Sequence, residues 1–416
     1  NTVFEGCYTT HADIKMINRR LENLLATGET VAALSHLLAG DTNRQPTLAE
    51  AWRGLLFHQF HDILCGAGIG PTYREAREAL SAVEAQVTSE IQAALARLVG
   101  SLEINTGPGP HLVIFNQLGW ERTDMVRLPL SQLAGLKPQS IVDAQGRKEP
   151  VQVLEDELIF VARQVPAFGF QVYRLSEEPA DVAPDSPGIN DDLTLENDLL
   201  RLKVHPASGA IEWLWDKEHA RWVTPPPPGH GAERKIGTGT LNCLQIAYEQ
   251  PHPMSAWNIG EITRIDNLIS GASVRCVSQG PVCIAVDVTR RVLNSSLRQR
   301  LCLYRGLRRI DVDTELQWNE QGGPDVDAPM LRVVCTPSLQ DGHATFEIPF
   351  AALERPADGN EVPALRWADV SDGTYGLSLL NNGKYGYHAH YHTLGMTLVR
   401  SSYDPDPLPD KGLHRF

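Results

Sequence analysis

Two histidines and an aspartate lie close together in the sequence, at His58, His61 and Asp62. Projected at 100° per residue along a helix over residues 52–64, the three side chains fall within about 100° of one another. Imidazole nitrogen and carboxylate oxygen are both zinc ligands in proteins, and a polar group beside a ligand can orient a substrate hydroxyl. The spacing therefore indicates a helix face suited to a metal ion or a polar ligand.

The same pattern also has a purely structural interpretation. A solvent-exposed helix face, or a histidine hydrogen-bonded inside a helical bundle, would carry the same residue types. His-x-x-His-Asp lacks the second, separated ligand pair of established zinc motifs. The glycine-rich residues 65–71 that follow would let the backbone approach a ligand closely. The residues alone leave both interpretations open.

The first hundred residues have the hydrophobic period of helices. Residues 10–13 and 47–50 match the capping box that begins a helix. We predict a first helix that ends at Gly28, a short helix over residues 30–39, and a long amphipathic helix from Tyr73. Together with the helix over the histidines, these helices are predicted to form an up-and-down helical bundle. The apolar face of the histidine helix is predicted to consist of Trp52, Leu56, Phe60 and Ile63.

Beyond residue 104 the pattern changes to short alternating strands. Four of them are predicted to form a small sheet, and residues 200–216 read as a hairpin around a Pro-Ala-Ser-Gly turn. The predicted class is α+β multidomain, with a three-helix bundle followed by a small and then a large antiparallel β-sandwich domain. The predicted domains are residues 11–104 (helical bundle), 105–185 (small β domain) and 186–416 (large β-sandwich).

Charge and composition limit the partners and the location expected for this protein. The chain has 37 Lys and Arg against 51 Asp and Glu, a formal net charge of −14, so we expect neither nucleic acid nor a membrane surface as a partner. No apolar run approaches the length of about 18 residues that spans a bilayer, and the first residues lack a secretion signal. Seven irregularly spaced cysteines predict buried, reduced thiols without a chemical role in a cytoplasmic protein.

Residues 52–66, with Gln-Phe-His-Asp-Ile-Leu at 59–64, resemble the Q-F-H-D-I-L-P-G segment of the class II α-mannosidases, glycoside hydrolase family 38. Cys65 stands where many members have Pro, and His58 where Asn is common. Residues 6–10 and the following helix are similar to the family's exit from its catalytic barrel into its three-helix domain. The resemblance covers essentially the whole chain and continues, in the family's order, through residues 256–257, 346–350, 366–369, 383–386 and 403–407.

The resemblance implies distinct roles for the three clustered residues. His61 corresponds to one of four ligands to an active-site zinc ion, and Asp62 to a residue that contacts the hydroxyls of bound mannose. His58 has no such counterpart and is expected to be structural. The implied activity is retaining hydrolysis of terminal α-mannosides or oligosaccharides.

The remaining catalytic groups of the family have no match in this sequence. The other zinc ligands, the nucleophilic Asp and the acid/base Asp belong to the family's N-terminal barrel, so residues 1–10 read as the exit from that barrel. We therefore expect no catalytic residue in this chain and no activity from it alone. The sequence leaves homo-oligomerisation open.

Two other classes of protein remain as alternatives. One is a non-catalytic carbohydrate-binding or scaffold protein with the same C-terminal architecture. The other is an unrelated helical metal-binding protein in which His58, His61 and Asp62 are all ligands. A carboxylate pair among Asp311, Asp313 and Glu315 is not expected, because alternating acids on a strand are typical of a solvated sheet surface.

Overall fold

The structure is a computed structural model that describes residues 4–103, 107–180, 186–227 and 239–416. The predicted boundaries at residues 104–105 and at residue 185 lie outside the described residues. In the described part, helices come first and antiparallel sheets follow, which confirms the α+β class. None of the described helices is both long enough and apolar enough to cross a membrane.

The helical region begins with a 3-10 turn, Glu5–Tyr8, which leads into the first helix. Three long helices pack together, and a single helical turn lies between the second and the last of them. The helices are α1 (Ala12–Ala39), α2 (Gln45–His58), α3 (His61–Leu64) and α4 (Gly70–Gly100). The buried side chains that form the core of this bundle are Leu21, Leu25, Ala32, Leu48, Ala51, Leu55, Leu80 and Val87.

Gly28 does not end a helix, contrary to the prediction. Helix α1 runs through it without interruption, and the predicted short helix over residues 30–39 is the C-terminal part of α1. A Cβ atom built on Gly28 would lie 3.3 Å from Leu48 of α2 and 3.5 Å from Ile91 of α4. The glycine therefore allows three helices to approach closely. Gly40, with φ of 62°, ends the helix, which agrees with the predicted helical end at residue 39.

Neither predicted capping box begins a helix. Helix α2 begins at Gln45, so Thr47 lies inside its first turn. At α1, the Thr10 hydroxyl donates to the carbonyl of Gly6 instead of accepting from the helix. Two of the orphan donors at the start of α1 are satisfied from the far end of the chain, because Asp410 accepts hydrogen bonds from the backbone N–H groups of His11 (3.0 Å) and Ala12 (2.7 Å).

The apolar face predicted for the histidine helix is also partly wrong. Leu56 and Phe60 are 55% and 54% exposed. The buried side chains of α2 are Leu48, Ala51 and Leu55, which recur at i, i+3 and i+7. Adjacent leucines at 55 and 56 fit either phase of the helical period, and packing against α1 and α4 selects the first of them.

The rest of the described chain forms strands, joined at one point by a 3-10 turn, Leu130–Leu133. The strands are β1 (His111–Asn116), β2 (Arg122–Pro129), β3 (Ser140–Val142), β4 (Lys148–Pro150), β5 (Gln152–Leu154), β6 (Glu157–Val165), β7 (Gly169–Ser176), β8 (Gly188–Ile189), β9 (Thr194–Glu196), β10 (Leu200–Val204), β11 (Ile211–Asp216), β12 (Arg221–Trp222), β13 (Cys243–Glu249), β14 (Ile262–Asn267), β15 (Ala272–Gln279), β16 (Cys283–Val292), β17 (Ser295–Tyr304), β18 (Ile310–Trp318), β19 (Ala328–Cys335), β20 (His343–Ile348), β21 (Ala351–Arg355), β22 (Asp358–Pro363), β23 (Trp367–Ser371), β24 (Gly376–Leu380), β25 (Gly386–His390), β26 (Thr393–Arg400) and β27 (Gly412–Arg415).

These strands pair into antiparallel sheets. The predicted small sheet is in fact two, with orders β1-β7-β3-β4 and β2-β6-β5, while β10 and β11 pair as the predicted hairpin. Two five-stranded sheets, β12-β11-β10-β9-β8 and β15-β16-β17-β18-β27, enclose a shared apolar core. A six-stranded sheet, β14-β13-β19-β26-β25-β22, shares a second core with β21-β20-β23-β24 and the ends of β16–β18. The face-to-face packing of antiparallel sheets agrees with the predicted sandwich architecture.

Candidate functional site

The helix that carries His58 ends before it reaches His61. Helix α2 stops at His58, and Phe60, with extended backbone (φ −53°, ψ 140°), precedes the separate turn α3. The carbonyl of Phe60 accepts the first hydrogen bonds of that turn, from Ile63 and Leu64, each at 2.9 Å. The prediction that the three residues share one face of a continuous helix is therefore wrong, and His61 and Asp62 lie in an element of their own.

The side chains of His61 and Asp62 point away from the protein interior. They are 78% and 67% exposed, and His61 Nε2 lies 3.5 Å from Asp62 Oδ1. The Phe60 ring packs beside the imidazole, with ring centroids 4.2 Å apart. An imidazole and a carboxylate thus lie side by side on the surface that the described residues form.

His58 is held by its own helix. Its Nδ1 donates a hydrogen bond to the carbonyl of Gly54 at 2.8 Å, which occupies one of its two ring nitrogens. This contact fits a structural role, although the role itself stays a prediction.

The backbone of α3 is fixed by buried side chains from both neighbouring helices. Lys15 of α1 is buried, and its ammonium donates to the carbonyls of Leu64 (2.9 Å) and Thr10 (2.5 Å). Tyr73 of α4 is fully buried; its hydroxyl donates to the carbonyl of Asp62 at 3.4 Å and accepts from the N–H of Gly68 at 2.8 Å. Burial lowers the pKa of Lys15 to about 8 and raises that of Tyr73.

Gly66 lets the turn after α3 pack directly on Thr10. Its φ is +87°, and a Cβ atom built on it would lie 2.6 Å from the carbonyl oxygen of Thr10. Only glycine fits both the left-handed backbone and the close approach. The glycine-rich break thus brings backbone against backbone, whereas the sequence suggested an approach to a ligand.

The start of α1, on which this turn packs, is itself anchored to the β region. The His11 ring is buried, stacks on Tyr73 with centroids 3.5 Å apart, and lies 3.3 Å from the Asp406 carboxylate. Asn18 donates to the hydroxyl of Tyr385 at 3.3 Å, and the N–H of Gly6 donates to the carbonyl of Trp257 at 2.9 Å. Three of the stretches that carry the family resemblance, residues 256–257, 383–386 and 403–407, therefore meet the helical region here.

The described residues contain no group of three or more His, Cys, Asp or Glu side chains that could hold a metal ion. His61 and Asp62 do present two accessible side chains of the kinds that bind zinc, whereas a catalytic zinc site uses at least three protein ligands. The pair therefore fits part of a zinc site, and the described residues do not complete one.

The acidic residues of β18 are engaged in ion pairs. Asp313 lies 3.1 Å from Arg127, and Glu315 lies 3.0 Å from Arg415. Asp311 lies 2.9 Å from Arg309. This arrangement agrees with their interpretation as part of a sheet surface.

Sequence reasoning missed the residues that hold the site in place. Lys15 and Tyr73 bind the backbone of α3, and Asp410 caps α1. A lysine next to the apolar position Ile14 was the available signal for the first of these. The partners of Tyr73 and Asp410 depend on long-range folding and leave no local pattern.

Two sequence families match this chain. The model described as Glycosyl hydrolases family 38 C-terminal domain matches residues 195–408, and that described as Alpha mannosidase middle domain matches residues 2–98. Helices α1–α4 lie within or at the edge of the second range, and β10–β26 lie within the first.

Individual relatives agree with these matches. The chain is 28% identical to human alpha-mannosidase 2C1 and 24% identical to alpha-mannosidase G of Dictyostelium discoideum, in each case over 99% of its own length. It spans only 37% and 40% of the lengths of those relatives. The crystal structure of an alpha-mannosidase from Enterococcus faecalis V583 has the same fold, with a TM-score of 0.79, 15% identity, and coverage of 99% of this chain and 54% of that one. The chain therefore belongs to glycosyl hydrolase family 38, of which it contains the α-mannosidase middle domain and the C-terminal domain.

Proposed function

We propose that this chain forms one side of the active site of a zinc-dependent retaining α-mannosidase, with His61 as a zinc ligand and Asp62 as a contact to the sugar. The substrate would be a terminal α-mannoside or an oligosaccharide that ends in one. The nucleophile, the acid/base and the other zinc ligands would come from residues outside these 416. The chain alone would then not hydrolyse the mannoside.

The observation that carries the proposal is the contrast between side chains and backbone at α3. His61 and Asp62 are largely exposed, yet Lys15 and Tyr73, both buried, hold the carbonyls of their turn. Because the backbone of the turn is fixed, binding restricts only the rotation of the two side chains, which favours their use as a metal ligand and a substrate contact.

Exposed apolar side chains next to the site support a partner surface. Phe57 and Phe60, which flank the site on its N-terminal side, are 71% and 54% exposed, and Ile69 on the other side is 54% exposed. Exposed apolar side chains around polar groups are typical of a surface that another part of a protein covers. We propose that the region carrying the catalytic carboxylates packs here.

The proposed chemistry assigns binding, and not bond cleavage, to this chain. In retaining hydrolysis one carboxylate attacks the anomeric carbon while a second protonates the leaving oxygen, and water then releases the sugar. Asp62 would accept hydrogen bonds from sugar hydroxyls and so orient the ring for that attack. Zinc, held in part by His61, would supply a Lewis acid for sugar hydroxyls.

The test compares His61→Ala with His58→Ala in a protein extended at its N-terminus to the length of the relatives. The His61 variant should lose both bound zinc and hydrolysis of an aryl α-mannoside, whereas the His58 variant should keep most of both. Asp62→Asn should keep zinc but lose roughly 30- to 150-fold in kcat/KM, as expected for about 2–3 kcal/mol of charge-assisted hydrogen bonding.

An extended protein that hydrolyses no α-mannoside when zinc is supplied would overturn the proposal and favour a carbohydrate-binding or scaffold role. Near-stoichiometric, tight zinc in the 416-residue chain would instead favour a complete site made of His58, His61 and Asp62. The hydrogen bond from His58 to Gly54 weighs against that alternative.

We also propose a cytoplasmic location. All seven cysteines are free thiols, and free thiols are usual where glutathione and thioredoxin keep cysteines reduced. Locating the tagged protein in fractionated cells of its source would test this.

A further inference from the structure

Gln59 lies between the end of α2 and His61, and two side chains of α1 hold it there. Its Nε2 donates to Oδ1 of Asn18 at 2.9 Å and to Oε1 of Glu22 at 3.1 Å. A primary amide has two N–H donors, so these two contacts use both of them. The orientation of the Gln59 side chain is therefore determined by α1.

The two acceptors are themselves held in place. Asn18 is buried, and its Nδ2 donates to the hydroxyl of Tyr385 in the β region at 3.3 Å. Oε2 of Glu22 lies 3.6 Å from Nε of the buried Arg19, whose guanidinium lies over the Tyr385 ring. Hydrogen bonds between buried polar side chains favour one arrangement. The position of Gln59 is thus tied to both the helices and the sheets.

The anchors of the two ends of α3 lie on one side of α1. Lys15, Asn18 and Glu22 are spaced at i, i+3 and i+7 of that helix, so their side chains leave it on the same side. Lys15 binds the last carbonyl of α3, whereas the other two bind Gln59 on its N-terminal side. One helix therefore holds the short turn from both ends.

We propose that Gln59 is a positioning residue for the metal ligand, because through Asn18 and Glu22 it fixes the backbone from which His61 reaches zinc. The inference rests on the proposed function, which assigns His61 to zinc, and extends it to a residue that has no contact with metal or sugar in that scheme. Groups that orient a metal ligand typically contribute about 10- to 100-fold to metal affinity. We expect the lower end of that range, since Gln59 acts through the backbone and not on the imidazole itself.

Exchange of the two partners of one contact tests the role of Gln59. In Gln59→Glu, a carboxylate would face the carboxylate of Glu22, and their repulsion should displace the backbone before His61. Adding Glu22→Gln restores one amide and one carboxylate at the same two positions without changing the total charge. The new amide at position 22 can then donate to the new carboxylate at position 59. Asn18 can present its nitrogen to that carboxylate and its oxygen to the Tyr385 hydroxyl.

The zinc affinity of the extended protein, measured by competition with a chelator, is the first readout. Gln59→Glu should weaken zinc binding about 10-fold, and the double variant should recover most of that loss. Val87→Ala is the matched control, because it removes buried volume from the core of the bundle and lowers stability without touching this network. Its zinc affinity should not change.

Hydrogen exchange in the 416-residue chain is a second readout, which requires neither zinc nor hydrolysis. The N–H groups of Ile63 and Leu64 donate to the carbonyl of Phe60, and that of Gly66 donates to the carbonyl of Ile63. These three amides should exchange slowly in the unsubstituted chain, faster in Gln59→Glu, and slowly again in the double variant.

Two results would overturn the inference: unprotected exchange of these amides in the unsubstituted chain, or a double variant whose zinc affinity is no higher than that of Gln59→Glu. The first result needs no substitution, so a variant that fails to fold does not affect it. The proposed function has a separate test, since it fails if His61→Ala retains zinc. If His61→Ala loses zinc while Gln59→Glu keeps it, the proposed function stands and the role of Gln59 is wrong.

Discussion

The carbonyl groups of Asp62 and Leu64 show how individual residues build this site. Each accepts a hydrogen bond from a buried side chain of another helix, Tyr73 in one case and Lys15 in the other. An unpaired buried polar group costs free energy, so these hydrogen bonds are strongly favoured once the helices pack. The side chains of His61 and Asp62 stay exposed because these hydrogen bonds hold only the backbone of α3.

Lys15 should make stability depend on alkaline pH. Burial lowers its pKa from the usual 10.5 to about 8 in the folded protein. Between these values the unfolded chain binds more protons than the folded one, so the contribution of Lys15 to the free energy of unfolding rises with pH. The shift corresponds to about 3 kcal/mol. Below about pH 8 that cost of burying a charge is present in full, and it disappears above about pH 10.5.

Lys15→Met tests this in urea unfolding at a series of pH values. The stability of the natural chain relative to the variant should increase by about 3 kcal/mol from about pH 8 to about pH 10.5. Lys411→Met, which changes an exposed lysine, should give a difference that does not vary with pH. If the stability difference between the unsubstituted chain and Lys15→Met did not change with pH, burial of the Lys15 ammonium would carry no free-energy cost.

At the scale of elements, the sequence predicted the helical bundle and the sandwich but not the details that position the site. The periodicity continues through residues 52–64, so it cannot reveal that the helix stops at His58 and restarts at His61. The break is set by tertiary contacts, such as the Gln59 side chain donating to Asn18 of α1 at 2.9 Å. The local pattern also wrongly predicted that a helix ends at Gly28, because in the sequence a glycine between packed helices resembles one that ends a helix.

Substitution of Gly66, in the turn after α3, should destabilise the protein by more than its positive φ alone explains. Gly66→Ala would combine a left-handed backbone with a Cβ atom 2.6 Å from the Thr10 carbonyl. Gly40→Ala is the matched control, because its φ is +62° but a Cβ atom there meets nothing within 4 Å. We expect about 1 kcal/mol of destabilisation at Gly40 and at least about 2–3 kcal/mol at Gly66.

Chemical denaturation of both variants measures these losses. In the extended protein, Gly66→Ala should also reduce mannoside hydrolysis, because the turn that carries Asp62 must move away from Thr10. Equal losses of stability in the two variants would mean that the turn relaxes freely, and that its packing does not position the site.

At the scale of the whole molecule, contacts between the ends of the chain connect the helices to the sheets. Asp410 caps α1 across 398 positions of sequence, and Asp406 lies beside the buried His11. The family resemblance predicted the order of these segments, but their meeting point follows only from the fold. A local capping pattern at residues 10–13 was misleading because the true cap comes from the C-terminal end.

Arg400 is buried at this junction, where it donates to the Thr10 hydroxyl at 3.4 Å, and it should be the most sensitive point of the junction. Its guanidinium is fully buried and binds both carboxylate oxygens of Glu249, at 2.7 and 2.6 Å, and the carbonyl of Asn258 at 2.6 Å. Arg400→Met would leave the Glu249 carboxylate buried without its main partner, which typically costs about 3–5 kcal/mol. Adding Glu249→Leu removes that carboxylate, so the double variant should recover at least about 1 kcal/mol of the loss.

The free energy of unfolding of the single and double variants measures this coupling. Arg415→Met provides the control, because its pair with Glu315 is 71% and 41% exposed and should contribute no more than about 1 kcal/mol. If the double variant were as unstable as Arg400→Met, the loss would come from the Asn258 carbonyl and from packing. The junction between helices and sheets would then depend on the shape and hydrogen bonds of Arg400, and its charge pair with Glu249 would contribute little.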